Sequence, residues 1–368
     1  MQVKRLTTGG FRNLAGEAFC PTPGVNILHG ENGQGKTNLL EALWLFTGER
    51  SFRGAKDGEL ITLGQTESRL TMDFSAAGRD QQATLSLTPR RAATLNGVKL
   101  KSASKLAGRF CGVVFCPAHL RLIQDGPSER RRFIDAAYLQ LRPGYGDVLT
   151  AYQRTLEQRN ALLRDRRRVD GWQELLDIYN DRLAVAGARL IRVRGAYLAH
   201  IAPRAEAIYE GLSSGRERLQ LRYLPSGAAA WDAPEAEVRD ALRAALAAAA
   251  AADEAAGHST VGPHRDDFET TINDRSARVF GSQGQCRSAV LALKLAEADA
   301  LREVIGEPPV ALLDDVMSEL DERRQDYLLN HMADGQVFIT CCEPSAVLRL
   351  AEGGRFRVED GRVWAENG

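Results

Sequence analysis

Gly30-Glu31-Asn32-Gly33-Gln34-Gly35-Lys36-Thr37 decides the reading of this chain, because it fits G-x-x-x-x-G-K-[ST] at a junction between two kinds of text. Before it, Val25-Asn26-Ile27-Leu28-His29 is a short apolar run of strand type that ends at Gly30. After it, Leu39, Leu40, Leu43, Trp44 and Phe46 recur at helical spacing, with Gly48 as a stop. Strand, glycine loop and helix form a phosphate cradle: glycines let backbone N–H groups turn inward, and the helix N-terminus adds partial positive charge. Lys36 then meets the β- and γ-phosphates, and the Thr37 hydroxyl can hold Mg²⁺. The nucleotide set thus runs Gly30, Glu31, Asn32, Gly33, Gln34, Gly35, Lys36, Thr37 and Asn38.

A loop of this type needs a second, acidic element. Val310-Ala311-Leu312-Leu313-Asp314-Asp315 reads as a buried strand ending in two carboxylates. Asp314 is expected to hold Mg²⁺ with its water, and Asp315 to position or deprotonate the attacking water. Taken alone, a strand ending in Asp is an ordinary structural feature; the upstream loop gives it meaning. With Lys36, these two carboxylates form the expected catalytic set.

A third element precedes the acidic strand. Phe280-Gly281-Ser282-Gln283-Gly284-Gln285 opens a long amphipathic run through Val290, Leu291, Leu293, Leu295 and Ala298, so Ser282 is placed as an N-cap. Ser282, Gln283 and Gly284 then offer a second anion contact far in sequence from the first, although such a turn can equally serve only to cap its own helix. Ser318-Glu319-Leu320-Asp321, directly after the acidic strand, is an exposed turn on its own text.

The bulk properties set limits. A chain of 368 residues with 44% hydrophobic and 26% charged residues has the balance of a soluble globular protein with room for a core domain and an inserted lobe. No run approaches the roughly 20 apolar residues that cross a bilayer, and Met1 to Gly10 lacks the apolar segment of a secretory signal, so a cytosolic setting without membrane partners is expected. The six cysteines show no C-x-x-C pair, which argues for reduced, mostly buried thiols rather than a zinc site or disulfide framework.

Net charge is zero, yet residues 101–200 carry 18 Lys and Arg against 10 Asp and Glu. The arginine-rich segments of that stretch are Arg130, Arg131 and Arg132, Arg164 to Arg168 including Arg166, Arg167 and Arg168, and Arg192 with Arg194; where the partner is DNA, these are the candidates for phosphate contact, independent of base sequence. Each cluster also has a plain reading as a solvated helix face or an internal ion-pair partner.

Organisation follows from these marks. Residues 1–125 read as the first part of an ATPase core, with the phosphate loop and a meander of short antiparallel strands; residues 126–257 as an inserted, mainly helical, Arg-rich lobe; residues 258–368 as the return of the core. Strand Val337 to Thr340 is expected to be the last. Amphipathic segments such as Leu149 to Leu163 and Trp172 to Tyr197 last only a few turns each, so no long coiled coil is expected.

In its order of elements the chain resembles the ABC-type ATPases, with Ser282-Gln283-Gly284-Gln285 similar to the signature motif and Ser318 to Asp321 to the D-loop. Within that superfamily Phe11-Arg12-Asn13, Gly-Pro-Ser-Glu-Arg-Arg-Arg-Phe at 126–133 and Gly-Pro-His-Arg-Asp-Asp at 262–267 resemble the RecF family, over essentially the whole chain. The resemblance implies an α/β fold: an ABC-type P-loop ATPase head of mixed sheet, helices and an antiparallel β subdomain, related to chromosome-maintenance ATPase heads. It implies ATP and Mg²⁺ as ligands and an ATP-dependent homodimer in which the signature of one copy meets the γ-phosphate held by the other. It further implies DNA-stimulated ATP hydrolysis and recombinational repair on double-stranded and gapped DNA, with RecR and RecO and, indirectly, RecA.

The resemblance also brings Arg12 and Asn13 toward the nucleotide and Arg265 and Asp266 into the core nearby. Two departures from the wider ABC pattern predict slow turnover: Asp315 stands where a Glu is usual, and Thr340-Cys341 where a switch histidine is expected. The competing readings are a transporter ATPase, disfavoured by the roughly 245 residues between Lys36 and Ser282, and a bridging protein that binds ATP without hydrolysing it.

Overall fold

A computed structural model describes residues 1–88, 90–228, 230–342 and 353–366. In chain order the elements are β1 (Gln2–Gly9), β2 (Val25–His29), α1 (Lys36–Leu45), β3 (Ser68–Ala76), β4 (Arg79–Leu87), β5 (Arg91–Leu95), β6 (Val98–Lys99) and β7 (Gly112–Phe115). There follow α2 (Pro127–Leu141), α3 (Tyr145–Asp165), α4 (Trp172–Ser213), β8 (Leu219–Leu224), α5 (Glu235–Ala248), α6 (Ala250–Ala256), β9 (Asp267–Ile272), β10 (Arg275–Ser276) and α7 (Ala277–Phe280). The chain closes with α8 (Gln283–Ile305), β11 (Val310–Asp314), α9 (Glu322–His331), β12 (Val337–Cys341), β13 (Gly353–Glu359) and β14 (Arg362–Glu366).

The central sheet has the order β14-β13-β2-β12-β11-β7, parallel except for the terminal β13–β14 hairpin. Alternation along its strands divides the interior in two. Val310 and Leu312 of β11, with Leu28, Val114 and Phe338, face a core shared with α1 and the antiparallel sheet β1-β3-β4-β5-β6. Ala311 and Leu313, with Ile27, Val113, Phe115 and Ile339, face a second core built by α2, α4, α8 and α9. A mixed sheet covered on both faces explains why β11 reads as an unbroken apolar run.

Three features differ from the sequence reading. Helix α4 is one element of 42 residues, about 63 Å long by its rise per residue. Pro203 lies inside it at an exposed position, and Gly187 and Gly195 sit where an added Cβ would come within 2.5 Å of Leu242 and 2.3 Å of Trp231, so the two glycines are points of close approach for later segments. It packs along α3, α5 and α8. Second, β8 lies in the helical stretch and pairs antiparallel with β9, so the lobe is joined to the returning core by a small sheet, β10-β9-β8. Third, Val337 to Thr340 is not the last strand: β13 runs parallel to β2 and turns back as β14. The cysteines are free thiols, with Cys111, Cys116, Cys286 and Cys341 buried.

Candidate functional site

β2 and α1 present the loop between them at the C-terminal end of an inner strand of the central sheet. Gly30 has φ 145° and an added Cβ would lie 2.3 Å from the Val358 carbonyl oxygen, so glycine is required there by both backbone and space. Lys36 is buried, and its ammonium donates to the carbonyls of Gly30, at 2.5 Å, and Glu31, at 2.8 Å. That places the charge at the mouth of the loop, where phosphate oxygens can take over the same donors.

The acidic strand meets this loop directly. Thr37 Oγ1 donates to Asp314 Oδ1 at 2.7 Å, and Thr340 Oγ1 donates to the same oxygen at 3.0 Å. Burial pushes the Asp314 carboxyl above its ordinary range, with the two hydroxyls opposing the shift. A buried carboxylate whose hydrogen-bond donors are two neutral hydroxyls is, with the Thr37 oxygen, a hard-oxygen set that fits Mg²⁺. Among the described residues no group of three or more His, Cys, Asp or Glu side chains is gathered as for a metal ion. Asp315 is exposed with φ 52°, a costly conformation for a non-glycine residue, and its N–H donates to Thr340 Oγ1 at 2.9 Å. Thr340 thus fixes both carboxylate residues, and in the sequence it stood out only as the place where a histidine was missing.

Polar side chains outside the loop hold it in place. Asn13 Nδ2 donates to the Gly33 carbonyl at 3.1 Å and Asn13 Oδ1 accepts from Asn38 Nδ2 at 2.7 Å, while Arg12 pairs with buried Glu41 of α1 at 2.9 Å. The β13–β14 turn adds a brace that the sequence did not announce. Asp360 N donates to Gln34 Oε1 at 2.6 Å, Gly361 N to the Gln34 carbonyl at 2.9 Å, and Ala15 N to the Gly361 carbonyl at 3.0 Å. Arg265 and Asp266 lie elsewhere: Asp266 is buried against the helical lobe, accepting from Arg194 at 3.2 Å and from Ser226 N at 2.7 Å.

Ser282 caps α8. Its Oγ accepts from Gln285 N at 3.2 Å and its N–H donates to Gln285 Oε1 at 2.8 Å, a complete capping box. The N–H groups of Gln283 and Gly284, in the first helical turn, have no acceptor within the helix, and Ser282 and Gln283 are exposed. The 318–321 turn is tied to this helix, since Arg287 donates to Glu319 Oε2 at 2.5 Å and to its carbonyl at 3.0 Å. The turn at Ser282 has Glu217 and Arg324 as neighbours and shares no hydrogen bond with Gly30 to Asn38 among the described residues.

The arginine candidates separate by burial. Arg130 is 3% exposed, pairs with Asp267 at 2.6 Å and donates to the carbonyls of Leu122, Ile123 and Asp125, so it is a structural ion-pair partner and not a phosphate contact. Arg194 is buried likewise against Asp135 and Asp266. Arg131 is half-buried and donates to the Asp266 carbonyl at 2.7 Å; Arg166 is half-buried and donates to the Leu163 carbonyl at 2.8 Å. Arg132, Arg164, Arg167 and Arg168 are exposed.

Compared with known proteins, the chain is 38% identical to the DNA replication and repair protein RecF of Heliobacterium modesticaldum over the full length of both. It is 38% identical to that of an Anaeromyxobacter species over 92% of each chain. The chain belongs to the RecF family. A solved structure of the recombination mediator protein RecF with ATP, in the RecFOR pathway, superposes with a TM-score of 0.92 at 36% identity, covering all of this chain and 98% of that one. Residues 5–107 match the AAA domain family. An Smc head bound to the C-terminal winged-helix domain of ScpA superposes at a TM-score of 0.56 and 15% identity, which marks a common fold. The RecF family assignment makes this an ATP-binding protein of DNA replication and repair on an ABC-type ATPase head, with a helical lobe and no long coiled coil among the described residues. No helix among the described residues is long and apolar enough to cross a membrane.

Proposed function

We propose that this protein is an ATP-operated DNA clamp of recombinational repair. Two copies close on each other through two shared nucleotide sites, hold DNA, and release it when ATP is slowly hydrolysed. One observation carries this reading: Lys36, Thr37 and Asp314 form one half-site, while the exposed donors behind Ser282 form another without touching the first. A second copy supplies the missing half to each. The solved RecF relative in the RecFOR pathway supports RecO and RecR as partners, with help to RecA loading at gapped or stalled DNA as the outcome.

In each half-site Lys36 and the loop N–H groups bind and orient the phosphates. Thr37 and Asp314 would hold Mg²⁺, which when bound would neutralise developing phosphate charge. Asp315 positions the attacking water and accepts its proton, and the signature N–H groups of the partner steady the γ-phosphate. The short Asp315 side chain, and Thr340 in place of a histidine, make turnover weak, as suits a timed release, and DNA stimulates it by favouring the closed pair. Exposed Arg132, Arg167 and Arg168 and half-buried Arg131 and Arg166 supply phosphate contacts to duplex and gapped DNA. The protein works in the cytoplasm.

The test is mass in solution for wild type and Lys36→Met, with and without Mg²⁺-ATP. Wild type is expected to shift from monomer to dimer with ATP and Lys36→Met to stay monomeric. A wild-type mass indifferent to ATP, with DNA still bound, overturns the clamp.

A further inference from the structure

The turn that follows α4 carries an unclaimed carboxylate. Ser214 and Gly215 are both left-handed, with φ 58° and 69°, and they fold the chain back so that Glu217 faces the α4 residue Tyr209. The fully buried Tyr209 donates its hydroxyl to Glu217 Oε2 at 2.7 Å, and burial followed by this hydrogen bond pushes the phenol well above its ordinary range. The other oxygen, Oε1, accepts from Gln285 Nε2 at 2.7 Å. Gln285 is the residue whose Oε1 receives the Ser282 N–H, so its amide has one orientation only: nitrogen toward Glu217, oxygen toward the cap.

We infer that Glu217 is a positioning residue for the Ser282 turn, fixing the capping amide of Gln285 and through it the direction of the free Gln283 and Gly284 N–H groups. This rests on the proposed role of that turn as the γ-phosphate contact across the dimer. Without the carboxylate, the Gln285 amide loses its anchor and the box can open, since Ser282 N–H then competes with water for the same oxygen. On the other side Arg324 donates to the Gly284 carbonyl at 3.2 Å and to Ser288 Oγ at 2.8 Å, so the turn is gripped from two sides, by the post-α4 turn and by α9. Arg323 binds α9 to α4 as well, donating to the Gly211 carbonyl at 2.9 Å. The end of α4 therefore meets both elements that flank the second half-site, and Glu217 is the contact that reaches the cap itself.

The experiment measures ATP turnover with DNA, nucleotide affinity of the monomer and thermal stability for Glu217→Ala, Glu217→Gln and Ser282→Arg. Glu217→Ala is expected to lower kcat about tenfold to a hundredfold, as small misplacements of a transition-state donor do, while leaving nucleotide affinity at Lys36 unchanged. Glu217→Gln keeps an oxygen for Gln285 and recovers most of kcat. Ser282→Arg abolishes turnover. Wild-type turnover in Glu217→Ala with a dead Ser282→Arg overturns the role of Glu217 and leaves the shared site standing. Loss of nucleotide affinity and stability together in both Glu217 variants makes the residue merely structural and also overturns it. Wild-type turnover in Ser282→Arg sinks the underlying reading instead.

Discussion

The Thr37 hydroxyl donates to Asp314 Oδ1 at 2.7 Å across a sequence separation of 277 residues. This bond joins the first helix of the core to the strand after the lobe, and it is the point at which a cation and phosphate would be shared. Burial holds the Asp314 pKa above its usual value, so ionised Asp314 costs stability at neutral pH in the absence of a cation. A raised folded-state pKa gives a contribution present at low pH and lost as pH rises through that value. Asp314→Asn is therefore expected not to lower, and to raise slightly, the melting temperature in Mg²⁺-free buffer, while cutting Mg²⁺-ATP hydrolysis by about a hundredfold or more. Calorimetry and phosphate release check the two halves separately.

Glu49 gives a pH dependence of its own. Burial lifts its carboxyl from 4.5 to about 7, against the pull of Arg50 and Arg132. The folded state thus holds a proton that the unfolded chain has released, and stability falls between those two values as pH rises, then levels off. Glu49→Gln is expected to flatten that slope in urea titrations at pH 5, 6, 7 and 8. An unchanged slope contradicts the assignment.

Arg130 and the exposed arginines are expected to fail in different ways. Arg130→Ala leaves Asp267 and three carbonyls without their donor and should cost about 3–5 kcal/mol of stability. Replacing Arg167 and Arg168 by Gln should leave the melting temperature within a degree or two, weaken DNA binding on any sequence, and reduce its salt slope by about one per phosphate contact. Urea melts and DNA titrations at several salt concentrations separate these outcomes.

The pair Arg159–Asp253 is fully enclosed in the lobe, with its partners 2.7 Å apart. Asn180 and Ser259 satisfy part of the guanidinium, and Nη2 has no partner. Arg159→Ala is expected to lose about 3–5 kcal/mol, whereas Arg159→Met combined with Asp253→Leu loses far less. Denaturant midpoints measure both.

Gly361 tests the brace on the phosphate loop. Its φ is 75° and an added Cβ would stand 1.9 Å from the Asn13 carbonyl oxygen. Gly361→Ala should weaken nucleotide binding about tenfold by displacing Gln34 and Asn13 together, seen by calorimetry with a non-hydrolysable analogue.

Much of the fold and site was legible where one local pattern coincided with one element. Gly30 to Thr37 between a strand and a helix, the apolar run ending at Asp314, and Ser282 before an amphipathic helix each carry their structure in adjacent residues. What was hidden depends on partners far away in sequence. β13 shows only Phe356 and Val358 buried between Arg355, Arg357 and Glu359, so nothing local says that its turn supports Gln34. Arg130 reads as part of a basic run until Asp267 is brought beside it. The need for glycine at Gly187 and Gly195 of α4 is hidden because the residues that take the space, Leu242 and Trp231, come later in the chain. Thr340 is an ordinary strand threonine until Asp314 and Asp315 lie next to it.

The shared site is tested most directly by mixing two inactive variants that keep the phosphate loop, Asp315→Asn and Ser282→Arg, and measuring ATP turnover with gapped DNA. In a mixed pair, the loop and intact Asp315 of one copy face the intact signature of the other, leaving one good site of two. Equal amounts are expected to recover about a quarter of wild-type turnover, because half the pairs are mixed and each has half its sites. Recovery of nothing, with both variants folded and able to pair, would contradict a site completed by a second copy.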